Sequence, residues 1–486
     1  MRTARLGRGL LGLACCVASA ARAQPAPWIP GTEPSPSAMA SSPPIPAPAA
    51  PAQPTPTRAP TSKSPDADAA PAEATSLKTF QEIFRETTPE TSQETTPTSP
   101  KATAPPPTKA RPIGRLHQAL HRSEERHAGA RNADGPYGAY SRWKQRRGEE
   151  ARLAWTVDLS VLPQWGWPDG QGAATQLLTS SALDWTLLQG KTLGKGSLQV
   201  AYITARYPSG QTATQLAHRL GLLTPINDYP FDQDIFAQLS YTQAFPGDRL
   251  LLTVGQFPFY NFDTNQYLFN QQINFNSYLF SQNASATYAN AGLGAYGQLT
   301  LSPTLQLAAG LQSANSLSGA TLTTRGFGEG GPSWFGYAQW TPHLAHLGPA
   351  QYSLLVYQVP SLPTQSKSWG WSFNAVQNLN ATWALFARAN QAVGFQTPIR
   401  ASVVLGAAMT NPLGRSPTDQ LGLALGRSVA APPPANPGGA RSETLLEAYW
   451  SWTLFGGVLL TPSVQTLLAP SRNDAWVLNL RATLML

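Results

Sequence analysis

The chain has 486 residues, with 34 Lys and Arg against 26 Asp and Glu for a net charge of +8, and only 12% of its residues are charged. Soluble globular proteins carry about a quarter charged residues, so half that share together with 14 tryptophans excludes an ordinary cytosolic enzyme. The average hides two compositions: 22 of the 45 prolines lie between Pro25 and Pro112, and residues 1–150 carry a net +6 (19 basic, 13 acidic) against +2 (15 and 13) for residues 151–486.

Arg2, Arg5 and Arg8 precede a small, apolar stretch from Gly9 to Ala20, and Ala21-Arg22-Ala23 has the small-x-small pattern of a secretory cleavage site. Residues 1–23 therefore read as an export signal cut before Gln24. The stretch is shorter than the roughly 20 residues a spanning helix needs. Cys15 and Cys16 lie inside it without the spacing of a lipidation site. They are the two cysteines of the chain, so cleavage leaves no thiol to form a disulfide, ligate a metal or attack a substrate.

Residues 24–112 are Pro, Ala, Thr and Ser with scattered acids, too polar to offset the entropy of ordering them, and read as a disordered tether in the periplasm. Residues 113–150 are strongly basic, interleaved with Glu124, Glu125, Glu149 and Glu150. Leu116 and Leu120 allow one short exposed helix there. Nucleic acid is excluded as a partner for an exported segment. The expectation is a solvated periplasmic stretch whose charge also suits peptidoglycan or anionic lipid.

From Leu153 the apolar residues alternate. Leu153, Trp155, Val157, Leu159 and Val161 share one face of an extended strand, while Ala154, Thr156, Asp158 and Ser160 share the other. The pattern recurs along the chain, for example in Trp383 to Ala389 and in Leu446 to Trp452. Runs end at Pro246-Gly247-Asp248, Ser302-Pro303-Thr304, Asn378-Leu379-Asn380 and Gly456-Gly457, as hairpins do. A soluble sandwich would also alternate, but these runs approach the 9–11 residues of a tilted membrane strand. Tryptophans mark many run ends, as in interfacial aromatic girdles, and the signal exports the chain.

A membrane protein without spanning helices must be a closed barrel, because closure alone pairs every backbone amide in lipid. Sixteen or 17 runs fit residues 151–486, the doubtful one near Ala284 to Asn290, and we expect an all-β, 16-stranded antiparallel transmembrane barrel over 151–486. A barrel of that width leaves an aqueous channel.

At this point the residues resemble the carbohydrate-selective porin (OprB) family of Gram-negative outer membranes. Leu252-Thr253-Val254-Gly255-Gln256 followed by Phe262-Asp263-Thr264-Asn265 is similar to its strand-then-FDTN segment, and Leu385-Phe386-Ala387-Arg388 to its central strand with an inward arginine. Asn411 to Arg415 with Asp419 to Gly422 resembles a late loop, and Glu443 to Trp450 with Asp474 to Arg481 resembles the closing strands. Two positions depart from the pattern: Gln256 where a basic residue is frequent, and Leu486 where such barrels end in an aromatic. The resemblance implies passive diffusion of sugars, glucose-like monosaccharides first, through a monomeric or homotrimeric barrel in outer-membrane lipid, with no cofactor.

Sugar hydroxyls need planar hydrogen-bonding partners and sugar C–H faces stack on aromatic rings. Tyr260, Phe262, Asp263, Asn265, Tyr267 and Asn270 supply both kinds in one irregular segment, which we expect to fold into the lumen as the substrate path. Strand parity adds Arg388, Glu447 and Arg481 to the inner wall. No nucleophile, base and orienter combine into a catalytic set. His343 and His346 sit between prolines with no carboxylate or thiol nearby, so no metal is expected there. A general, non-selective porin and a structural or adhesive barrel are the alternative readings.

Overall fold

The computed structural model describes residues 113–486, except for 131–133, 169–171, 264, 316–321, 323, 325–326, 329, 346, 364, 437–438, 440 and 470–474. The export signal and the Pro-rich tether lie outside the described residues.

Two helices come first, α1 (Arg115–Ala130) and α2 (Pro136–Ala151). The barrel follows as β1 (Leu153–Trp167), β2 (Ala174–Gly190), β3 (Gly194–Arg206), β4 (Gln233–Ala244), β5 (Leu250–Phe257), β6 (Gly292–Ser302), β7 (Leu305–Ser313) and β8 (Pro332–Trp340). It continues as β9 (Gly348–Val359), β10 (Ser368–Asn378), β11 (Trp383–Gly394), β12 (Ile399–Thr410), β13 (Gln420–Ala430), β14 (Glu443–Phe455), β15 (Val458–Ala469) and β16 (Trp476–Met485). Each strand pairs antiparallel with its neighbours in sequence. The ring closes where β1 pairs with β16, from Asp158 opposite Met485 to Trp167 opposite Trp476. The two residues His343–Leu344 add a short pairing beside β9. The doubtful run at Ala284 to Asn290 is loop, so the closed barrel has 16 strands.

The period-two pattern decides which face is which. On β1, Leu159, Val161, Trp165 and Trp167 are exposed on the outer face, whereas Thr156, Asp158 and Ser160 are buried inside. Val403 and Leu405 on β12 alternate in the same way with buried Ser402 and Val404. Exposed Trp167, Trp334, Trp369 and Trp476 stand near strand ends on one rim, and Trp340 and Trp383 on the other, as interfacial rings do. One rim carries tight turns, such as Phe245 to Arg249, where Gly247 (φ +86°) and Asp248 (φ +53°) take the left-handed backbone that reverses the chain sharply. The opposite rim carries the long connections.

The expected single exposed helix is two helices, and α1 is not solvated: Leu116, Ser123 and His127 are buried. Lys144 of α2 donates to Ser123 (2.9 Å), and Ser141 meets His127 (2.8 Å), whose ring stacks on Tyr137. Tyr137 in turn lies where Cβ atoms on Gly456 and Gly457 would stand, which seats α2 against the β14–β15 turn on the tight-turn rim. A charged helix is accommodated there because the inner wall it faces is polar.

Candidate functional site

Two long connections fold into the ring. The first, residues 207–232, carries α3 (Ala213–Leu220). Thr212 caps it through a reciprocal capping box with Gln215, and it ends at Gly221 in the left-handed conformation. Its Leu216, Ala217 and Leu220 pack with Leu223, Ile226 and Val477. The Glu443 carboxylate accepts the backbone N–H groups of Leu223 (2.9 Å) and Thr224 (2.7 Å), tying the connection to β14.

The second connection, residues 258–291, crosses the bore and is gripped by inward side chains of strands that are remote in sequence. Asp263 accepts from Ser372 (2.7 Å), Asn374 (2.8 Å) and Tyr288 (3.1 Å). Arg388 donates to the carbonyls of Leu268 and Gln282 (2.6 Å) and to Asn374 (3.0 Å). Arg481 donates to the carbonyls of Gln271 and Asn274 (2.8 Å), and Glu447 accepts the N–H groups of Asn276 (2.7 Å) and Ser277 (2.9 Å). Burying such charges is tolerable because each is met by several fixed dipoles. An aromatic cluster closes the near side, with Phe262 stacked on Phe335 (4.2 Å) and edge-on to Tyr296 (5.0 Å).

Among the described residues, two cavities border the crossing segment and α1. The one toward the long connections, about 620 Å³, has walls that include Ile203, Ile235, Phe231, Phe395 and Pro432 to Pro434, and its polar groups include Arg115, Asp228, Asn261 and Gln282. Arg115 lies 5.1 Å above the Tyr260 ring and donates to Gln282 (2.7 Å). Gln282 (3.0 Å) and Ser281 (2.6 Å) both donate to the Asp228 carboxylate. Burial pushes Asp228 up to about 6, against the pull of Arg115 and these hydrogen bonds. The other cavity, about 1010 Å³, runs along α1 toward the tight-turn rim, and its lining includes the polar and charged His117, Asp184, Lys195, Gln199 and Thr242. Burial pushes His117 down to about 4, with Asp184 opposing.

Of the residues singled out from the sequence, half-buried Tyr260 lines the smaller cavity. Phe262, Asp263, Asn265 and Tyr267 are buried in the packing that supports the crossing segment. Asn265 donates to the Ala375 carbonyl (3.1 Å) and Tyr267 stacks on Phe386. Asn270 is half-buried and accepts the Gln272 N–H (2.8 Å). Arg388, Glu447 and Arg481 lie wholly inside the ring, each engaged with that segment rather than bordering either cavity described above. Sequence reasoning missed Arg115, Asp228 and Gln282. The one available signal was their polarity, which solvated segments share.

A model of the carbohydrate-selective porin, OprB family, matches residues 171–486. The chain is 35% identical to Porin AaxA of Chlamydia pneumoniae over 348 residues, covering 68% of this chain and 78% of that protein. It is 34% identical to Porin AaxA of Chlamydia abortus over 327 residues, covering 65% and 72%. The high-pH structure of Pseudomonas putida OprB is similar in fold, with a TM-score of 0.57 at 15% identity over 71% of this chain and 97% of that one. With a closed barrel, an apolar outer wall and buried polar side chains on the inner one already in place, the match over most of the barrel is decisive: the chain belongs to the carbohydrate-selective porin, OprB family, and is an outer-membrane porin, a channel rather than an enzyme.

Proposed function

We propose that this porin passes mono- and oligosaccharides by passive diffusion, glucose-like sugars first. The observation that carries the reading is the floor of the smaller cavity, where the Tyr260 ring lies beside the Arg115 guanidinium, the Gln282 amide and the Asp228 carboxyl. A pyranose offers a C–H face to such a ring and hydroxyls to such groups, so one wall recognises both sides of its chemistry. Porins keep short turns in the periplasm and long loops outside. In that orientation the 620 Å³ cavity is the outer vestibule, and α1, α2 and the N-terminal extension belong to the periplasmic side. Exposed Arg142 and Arg146 of α2 then face the cell wall. Co-sedimentation with purified peptidoglycan, lost in the Arg142→Ala, Arg146→Ala double variant, tests that contact.

Liposome swelling with the purified protein tests the permeant. Glucose is expected to enter faster than a disaccharide, and faster than an uncharged polyol of matched size. Equal rates for glucose and the polyol support a general porin instead, and no swelling with any solute supports a structural barrel.

A further inference from the structure

We infer that the turn leading into α1, Ile113 to His117, forms part of the narrowest section of the pore, and that Arg115 determines which sign of charge crosses it. The inference rests on the porin reading. Residues 113–151 precede the span that the family model matches, so this wall is built from outside the matched barrel.

The two cavities share no lining residue, and the boundary between them falls within this one turn. Arg115 and Leu116 border the smaller cavity, while Ile113, Gly114 and His117 border the larger. The turn is wedged rather than laid against the wall. Ile113 N–H donates to Gln298 of β6 (3.0 Å), and Arg115 N–H to Asn261 of the crossing segment (3.3 Å). Asn261 donates onward to Gln238 of β4 (3.1 Å), and His117 meets Gln199 of β3 (3.0 Å). A Cβ on Gly114 would come within 3.3 Å of Asn261, and its φ of +134° suits glycine. A helix is about 10 Å across with its side chains, a large fraction of a bore into which two connections already fold.

The charges around the turn give Arg115 its role. Arg388 is spent on carbonyl groups behind the crossing segment, and Asp228 accepts from Ser281 and Gln282. The Arg115 guanidinium donates to Gln282 through one Nη, keeps its Nε without a partner, lies over the Tyr260 face and borders the cavity directly. A fixed cation in a low-dielectric constriction favours anions over cations of equal size.

The test is single-channel recording in planar bilayers of the full chain, Arg115→Gln, Arg115→Glu and a variant lacking residues 24–130, each first shown to be a folded barrel by heat-modifiable migration. Arg115→Gln is expected to keep the conductance within the full chain's range while its anion-over-cation permeability ratio falls severalfold. Arg115→Glu should invert the preference, and the deletion should raise conductance severalfold and weaken selectivity. Unchanged selectivity in both Arg115 variants overturns the inference, as does a folded deletion variant with the full chain's conductance. Should the deletion fail to assemble, the two point variants decide. Silence from every protein, the full chain included, defeats the porin reading itself. Identical channels from all of them defeat this inference alone.

Discussion

Glu447 and Arg481 hold the same residue, Asn276, by different groups: the carboxylate takes its backbone N–H at 2.7 Å and the guanidinium donates to its side-chain oxygen at 2.6 Å. The two side chains come from β14 and β16, 171 and 205 residues away in sequence, and between them they fix where the crossing segment lies in the bore.

Hydrogen bonds to charged groups contribute about 1.5–3 kcal/mol each, so Glu447→Ala is expected to destabilise the barrel by about 2 kcal/mol or more in urea unfolding. Because Glu447 and Arg481 share a partner, the double variant should lose less than the two single losses added. Additive losses would contradict a shared anchor.

Phe262→Ala removes a buried ring stacked on Phe335 and leaves a cavity, a change that typically costs about 3–5 kcal/mol. Phe262 ends the short helical turn that begins at Phe259 and carries Tyr260. We therefore expect stability and glucose block of the current to fall together. A stability loss with the block intact would separate the aromatic cluster from the path.

Asp228 supplies a pH signature. Its carboxyl titrates near 6 in the folded chain against an ordinary value of 3.8, so folding favours the protonated form. Its contribution to stability is fully present below about 4 and is lost as the pH rises through about 6. The difference in stability between the native chain and Asp228→Asn should change across that window and be flat above it. Anion preference should rise as the pH falls through 6, and Asp228→Asn should abolish that step. His117, held near 4 in the folded chain against an ordinary 6.5, stays neutral between 5 and 7 and adds no step to the anion preference there; its own effect on stability, which grows as the pH rises from about 4 to 6.5, is common to both proteins and cancels in their difference.

Leu405 tests which face meets lipid. It is exposed on the outer wall of β12, next to fully buried Val404. Leu405→Arg is expected to destabilise the barrel by about 2–4 kcal/mol if it lies near the bilayer midplane. Full stability of that variant in lipid would contradict the outward assignment.

The strands were legible because their alternation is local: Val157, Leu159 and Val161 declare an outer face within five residues, and Gly456-Gly457 declares a turn within two. The inward parity of Arg388, Glu447 and Arg481 was legible for the same reason. Their partners were not, because Arg388 reaches Leu268 across 120 residues and no local pattern encodes such a contact. Helix α1 was misread as solvated because a charged helix facing a polar lumen has the same composition as one facing water. Arg115 and Asp228 went unnoticed because each gains meaning only from the other connection folded against it.

The central claim is that a sugar meets an aromatic face and hydrogen-bonding groups on one wall of a water-filled route. Conductance of the purified protein in a planar bilayer, with and without glucose, tests it most directly. The account predicts a steady channel whose current is partly blocked by glucose and less so by a polyol of matched size. A channel blocked equally by both, or no channel at all, would contradict it.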